Sequence, residues 1–158
     1  MKTNYVDILL WTAKTLKANF PNYNIYVDED EQEIIVPSFF IQVIPMKTTE
    51  GFDSFRNKMV NLIIQYVDRT ARKEKKLQII DDLDELIGKG LTVAQEDGSL
   101  RVLPVFDKKP TLTNDSTIML INLKYFDGHK NPAKPDEPDR SYDDLMGILA
   151  LNIQTKEK

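Results

Sequence analysis

Cysteine is absent from the 158-residue chain, and histidine occurs once, at position 129. The lack of cysteine excludes disulfide bonds, cysteine-ligated zinc, iron–sulfur clusters and a cysteine nucleophile, and it fits a reducing cytoplasm. His129 has only Asp127 close to it in sequence, which gives little support for metal binding or for acid–base catalysis. We therefore expect neither a metal site nor a cofactor.

An excess of positive charge is also missing, because 21 lysines and arginines stand against 25 aspartates and glutamates, a formal net charge of −4. General nucleic-acid binding depends on basic side chains that neutralise phosphates, so nucleic acid is not an expected partner. No run approaches the ~20 apolar residues that span a bilayer. The N-terminus carries Asp7 before any apolar run and lacks a small-residue cleavage site, so we expect a soluble, uncleaved protein without a membrane partner.

Motifs for phosphate, dinucleotide or serine-nucleophile chemistry are absent as well. Asp68, Glu74 and Lys76 form a loose version of the arrangement that metal-dependent nucleases place on strands. Glu74 and Lys76 fall on a predicted helix, where residues two apart diverge by about 200°. The acidic residues 81–85 occupy the polar side of the same helix. We favour a protein that is not an enzyme, and a small metal-dependent hydrolase is the alternative.

The first part of the chain predicts one helix and two short strands. Apolar residues recur at steps of three and four over residues 5–20, which is typical of an amphipathic helix that ends before Pro21. Residues 23–27 and 34–36 are rich in aromatic or β-branched side chains, and the acidic run 28–33 between them predicts the solvated tip of a hairpin. Trp11 and Phe39 are assigned to the core.

Two longer segments, residues 38–46 and 58–68, carry apolar side chains on both faces of a predicted strand. Such strands lie inside a sheet, and something must cover each side. The connection between them is longer than a common hairpin loop of ~2–5 residues. We therefore expect both strands to extend past the body of the domain.

A second amphipathic helix is predicted over residues 72–87 and ends at Gly88. Its predicted buried stripe consists of Leu77, Ile80, Leu83 and Ile87. Three strands follow, at residues 91–94, 100–106 and 117–126, with a turn at Asp97-Gly98 and a loop through residues 108–110. The sequence thus predicts an α+β fold: a mixed or antiparallel β-sheet of about six strands with two main helices packed on it, plus a C-terminal extension.

The residues after Gly128 differ in composition from the rest. Pro132, Pro135 and Pro138 lie in a polar stretch that cannot continue a sheet, which predicts a linker. Seven apolar side chains follow between positions 142 and 153, too few for a core of their own. We therefore expect them to dock either on the body of the domain or on a neighbouring subunit. We predict one α+β domain over residues 1–128 and, over residues 129–158, a Pro-rich linker with a short apolar C-terminal arm.

Four short segments, in this order, carry a resemblance to a known family. They are YVDIL at residues 5–9, PSFFIQV at 37–43, IQYVD at 64–68 and INLKYF at 121–126. Over residues 5–128 the chain resembles the tail terminator proteins of bacteriophages and phage-like elements of low-GC Gram-positive bacteria.

The resemblance implies a structural assembly protein that forms a hexameric ring on the head-facing end of a completed tail tube. Such a ring stops tube growth and offers a docking face. Implied partners are further copies of the chain and the tail tube protein, and in addition the sheath and the head-completion or neck proteins of a phage. In a contractile, phage-tail-like bacteriocin, the equivalent protein serves as a collar that closes the particle. Assembly in the bacterial host cytoplasm, followed by incorporation into the particle, is implied too. A head–tail connector or neck protein is the nearest alternative.

A closed ring needs two unlike surfaces that meet on neighbouring subunits. The candidate interface consists of apolar side chains from the end of the predicted strand 38–46, from the extended connection and from the C-terminal arm. These are Met46, Phe52, Phe55, Tyr142, Leu145, Ile148, Leu149 and Leu151. The acidic tip is the candidate lining of a ring channel, where carboxylates would repel DNA phosphates. Its residues are Asp28, Glu29, Asp30 and Glu31.

Overall fold

The computed structural model of the chain describes residues 3–27, 34–51, 55–95, 97–114 and 116–128. Two helices and six strands follow one another within these ranges. They are α1 (Tyr5–Asn19), β1 (Asn24–Tyr26), β2 (Ser38–Glu50), β3 (Phe55–Val67), α2 (Lys73–Ile87), β4 (Gly90–Ala94), β5 (Leu100–Leu112) and β6 (Ser116–Gly128). The predicted α+β fold class is confirmed.

The six strands form a single sheet in the order β1-β2-β3-β6-β5-β4. β1 runs parallel to β2, and every other neighbouring pair is antiparallel, so the sheet is mixed. Four of the strands have 13 residues each, which at about 3.3 Å per residue makes them about 43 Å long. β2 and β3 pair as far as Glu50 and Arg56, so the predicted extension of these two strands is confirmed.

Both helices pack on the same face of the sheet. Along β3 and β6 every second side chain is buried, and because side chains alternate between the faces of a strand, the buried ones share one face. These strand residues join the buried side of the helices in one hydrophobic cluster that includes Ile8, Leu16, Leu62, Leu83 and Ile121. Phe39 lies in this core as predicted, whereas Trp11 is only partly buried against it.

The predicted hairpin over residues 23–36 is wrong. β1 instead pairs in parallel with residues 38–40, and residues 34–36 form no strand and are exposed. In the observed pairing with β2, the Tyr26 ring stacks on Phe40 with centroids 5.3 Å apart. The exposed segment is held against β1 by the backbone N–H of Ile35, which donates to the Tyr26 hydroxyl at 3.1 Å.

Two further expectations differ from the structure in the second half. Leu77 is 44% exposed, because the buried stripe of α2 includes the neighbouring Lys76 instead. The Lys76 ammonium donates to the backbone oxygens of Thr113 and Asn114 at 3.4 and 2.7 Å, which satisfies the charge at the edge of the core. Residues 108–110 are not a loop but part of β5, because β5 continues to pair with β6 as far as Leu112.

Candidate assembly surfaces

The sheet face opposite the helices is uncovered within the described residues, and we call it the open face. It consists of the side chains that alternate with the buried ones on the three central strands. These are Phe40, Gln42 and Ile44 on β2, Met59, Asn61, Ile63 and Gln65 on β3, and Ile118, Leu120, Asn122, Lys124 and Phe126 on β6. None of them is fully buried, and Lys124 is the charged residue among them. Further charges lie on the same side of the sheet: Lys47 of β2 is opposite Met59, and Asp107 and Lys109 of β5 are opposite Asn122 and Leu120. The sequence predicted apolar side chains on both faces of these strands. The two helices cover one of the faces.

One end of the open face is strongly apolar. Phe126 of β6 and Phe55 of β3 are 64% and 55% exposed. Phe55 pairs with Gly128, two residues after Phe126, so the two rings lie diagonally across from each other on neighbouring strands. Phe106 forms a bulge in β5, is 66% exposed, and lies with its ring centroid 3.7 Å from the Lys124 ammonium. Aromatic side chains are enriched in protein contacts, and exposed clusters of them are typical of interaction sites.

The sheet has two outer edges that differ from each other. β1 covers β2 only at residues 38–40, so no strand pairs with the outer side of residues 41–49 in the described part of the chain. On the other side, β4 pairs with residues 100–104 of β5 and leaves residues 106–112 without an outer strand. Each edge carries a bulge and a proline, Pro45 in β2 and Pro110 in β5. Bulges and prolines restrict indiscriminate strand addition at a sheet edge.

A buried ionic cluster lies on the helix side of the sheet near the same end. Asp127 is 1% exposed, and its carboxylate is 3.2 Å from the Lys58 ammonium and 2.6 Å from the Arg101 guanidinium. The backbone N–H of Thr3 also donates to both carboxylate oxygens, at 3.2 and 3.1 Å. One aspartate therefore ties together β3, β5, β6 and the segment before α1.

Arg101 makes further contacts that close the cluster. It donates to the Thr3 hydroxyl at 2.9 Å and to the backbone oxygen of Phe126, and its guanidinium lies 5.3 Å from the Tyr125 ring centroid. Burial, together with the nearby Asp127 carboxylate, raises the pKa of Tyr125. The Tyr125 hydroxyl has no hydrogen-bond partner among the described residues.

Sequence reasoning missed this cluster. Lys58, Arg101 and Asp127 are separated by dozens of residues. From its neighbours in sequence, each is predicted to be a solvent-exposed charge near the end of a strand. One usable signal was the alternation of buried and exposed side chains along the strands. Lys58 and Asp127 fall at positions of β3 and β6 that face the apolar core. An unpaired charge is costly there, so the two residues need partners of opposite charge.

The predicted assembly residues fall partly inside the described ranges. Met46 lies at the bulge of β2 and is 56% exposed, and Phe55 lies at the apolar end of the open face. Both are therefore accessible for contact with another protein. Phe52, the acidic residues 28–31 and the arm residues 142–153 lie outside the described residues.

The residues of the alternative hydrolase do not converge. Asp68 accepts hydrogen bonds from the Tyr66 hydroxyl at 3.1 Å and from the Thr70 N–H and hydroxyl at 3.0 and 2.8 Å. Burial alone would raise the pKa of Asp68, but the Thr70 and Tyr66 hydrogen bonds, with help from Lys75, lower it overall. This carboxylate stabilises a turn, whereas Glu74 lies in the first turn of α2 and Lys76 caps the β5–β6 connection.

Other features of a chemical site are lacking in the described ranges. No three acidic, histidine or cysteine side chains are grouped there so that they could hold a metal ion. A shallow depression of about 290 Å³ lies between α1 and α2, with Asn19, Phe20, Asp82, Glu85 and Leu86 around it. None of the helices in this part of the chain combines the length and hydropathy needed to cross a bilayer.

Comparison with known proteins identifies one family. A family model described as a phage tail terminator protein matches residues 7–136, which is most of the chain. A search of curated proteins gives no match. Among solved structures, one without a functional description is 15% identical, covers 83% of this chain and 99% of its own, and superposes with a TM-score of 0.46.

Proposed function

The chain belongs to the phage tail terminator family, and from this premise we propose that it assembles as a hexameric ring that caps a completed tail tube. A role in phage tail assembly follows from the family itself. The ring, its position and its effect on tube growth are the proposal. The match over residues 7–136 is the observation that carries it.

The two unlike sheet edges support ring formation. A ring of identical subunits needs a heterologous interface, in which one surface of a subunit meets a different surface of its neighbour. The outer side of residues 41–49 and the outer side of residues 106–112 lie on opposite borders of the sheet. Because Pro45 and Pro110 interrupt them, only a surface that fits the bulges can add there. We therefore place these two edges in the contact between neighbouring subunits.

The β2–β3 hairpin end belongs to the same proposed contact. Met46 lies on the β2 edge, and Phe55 lies where the hairpin strands stop pairing. Both are more than half exposed in the single chain. We propose that these two residues, with Phe52 between them in sequence, are buried on assembly. We also propose that the ring face turned away from the tube receives neck, head or collar components. In a contractile particle, the ring contacts the sheath as well.

Imaging and polymerisation together test the ring. We expect purified protein to form rings in negative-stain micrographs, alone or on its tube, and to stop polymerisation of the tail tube protein at substoichiometric amounts. Met46→Glu should weaken ring assembly about tenfold or more, since a charge would have to be desolvated in the contact. Leu77→Glu on α2, another exposed apolar position, is the matched control and should assemble normally.

Other outcomes would change the assignment. Unrestricted tube growth in the presence of the protein would contradict a terminator. Stable binding to isolated heads without any effect on tubes would favour a head–tail connector instead. Rings that tolerate Met46→Glu as well as Leu77→Glu would place the subunit contact elsewhere.

The acidic residues 28–31 are proposed to line the channel of the ring. Negative charge along a passage repels DNA phosphates and prevents retention. Changing Asp28, Glu29, Asp30 and Glu31 to their amides should therefore produce rings that retain DNA at low ionic strength, measured by filter binding. The retention should fall steeply with added salt, because it is electrostatic. Amide substitutions at Asp81 and Asp82 on α2 are the control, and equal retention by both variants would contradict a channel position for residues 28–31.

A further inference from the structure

We propose that the apolar arm of this chain, residues 142–153, docks on the open face of its own subunit. The proposal is independent of the ring, because it concerns a contact within one chain. It rests on the uncovered apolar strip of the sheet, on the point at which the described chain ends, and on the charges at both places.

The strip has the width and chemistry that a single apolar segment needs. Three central strands lie about 4.8 Å apart, so a segment about 10 Å across covers them. The apolar side chains that would be covered are Phe40, Ile44, Ile63, Ile118 and Leu120. Asn61 and Asn122 lie opposite each other in the middle of the strip, and their amides can bond to the backbone of a covering segment.

The chain leaves the sheet beside this strip. β6 ends at Gly128, two residues after Phe126 of the open face. Residues 129–141 can span about 43 Å when extended. Ile118, the far end of the strip on β6, is about 27 Å from Phe126 along the strand. The arm can therefore reach every part of its own open face, and a tether of this length gives it an effective concentration in the mM range there.

The charges of the arm match those of the face. Asp143 and Asp144 come directly before most of the apolar side chains of the arm. Lys124 lies on the open face between the chain exit and Leu120. On the same side of the sheet, β5 carries Lys109 and Asp107, and β2 carries Lys47. A segment that enters from the Gly128 end brings its two carboxylates to Lys124 before its apolar side chains reach the middle of the strip. An exposed ion pair of this kind adds little to the affinity of the arm for the face, but it determines the direction in which the arm lies along the strands.

The full chain is suited to a cross-linking test, because it contains no cysteine of its own. We expect Asn122→Cys combined with Leu149→Cys to form an intramolecular cross-link with a short bifunctional thiol reagent. The yield should exceed that of the control pair Gln78→Cys with Leu149→Cys by about tenfold. Gln78 is exposed on α2, on the other side of the sheet.

A second measurement uses an apolar fluorescent dye, with no cross-linker. Leu145→Asp with Leu149→Asp should raise dye binding to the full chain several-fold, because the open face is no longer covered. Leu77→Asp on α2 should leave it unchanged.

Three results would overturn the proposal. Cross-links that join two chains on a denaturing gel would show that the arm covers a neighbouring subunit. Equal yields from the test and control pairs would show that the arm does not dock on this face, and an unchanged dye signal would show that something other than the arm covers it. Micrographs of the same variants report the ring separately, so its loss and the loss of arm docking can be told apart.

Discussion

Asp127→Asn is expected to lower the free energy of unfolding by about 3 kcal/mol, measured by urea denaturation of the full chain. The substitution keeps the shape of the side chain and removes the one negative charge between Lys58 and Arg101. Both cations are at most 14% exposed, so water cannot replace the lost partner. Removing one member of a buried ion pair typically costs about 3–5 kcal/mol, and the remaining exposure of the cations favours the lower end.

Asp84→Asn is the matched control for this prediction. Asp84 pairs with Lys108 at 2.6 Å, but its side chain is 58% exposed, so its loss should cost less than about 1 kcal/mol. Adding Lys58→Met to Asp127→Asn should recover about 1 kcal/mol or more, because one of the two uncompensated charges is gone. If Asp127→Asn cost no more than Asp84→Asn, the cluster would not hold the four chain segments together.

Leu83→Ala is expected to destabilise the protein by about 2–5 kcal/mol in the same denaturation experiment. Leu83 is fully buried between α2 and the sheet, and truncating such a side chain loses its transfer free energy and leaves a cavity. Leu77→Ala, on the same helix and with the same change of side chain, should cost less than about 1 kcal/mol, because Leu77 is 44% exposed.

The pair of leucines also tests the position of α2. Sequence periodicity places both residues on the buried stripe, whereas the structure buries only Leu83. Equal losses for the two variants would support the stripe that the sequence predicted. A large loss at Leu83 alone would support the observed packing, in which Lys76 takes the buried place next to Leu77.

Local pattern was sufficient for most of the elements. Alternation in steps of three and four located both helices, and runs of β-branched and aromatic residues located the strands, because these patterns depend on residues close in sequence. It failed where a distant partner decided the outcome. β1 pairs with β2 and not with residues 34–36, and residues 108–110 are strand because β6 lies beside them.

The candidate surfaces divide in the same way. Met46 and Phe55 were named from the sequence as candidate contact residues; the structure exposes both, and their contact with another subunit stays a prediction. The two edges that lack an outer strand in the described part of the chain were not, because an edge is defined by which strands lie beside it. The buried cluster around Asp127 was missed for the same reason, as its members are dozens of residues apart in sequence.

What the chain lacks was determined by the sequence itself. The absence of cysteine and of catalytic motifs, and the net charge of −4, follow from composition, which folding does not change. Only the tertiary structure decided that both helices lie on one face of the sheet, so that the other face has no cover among the described residues. Strands that are apolar on both sides require a cover for each side, but the sequence does not state which element provides it, because burial depends on contacts between residues far apart in the chain.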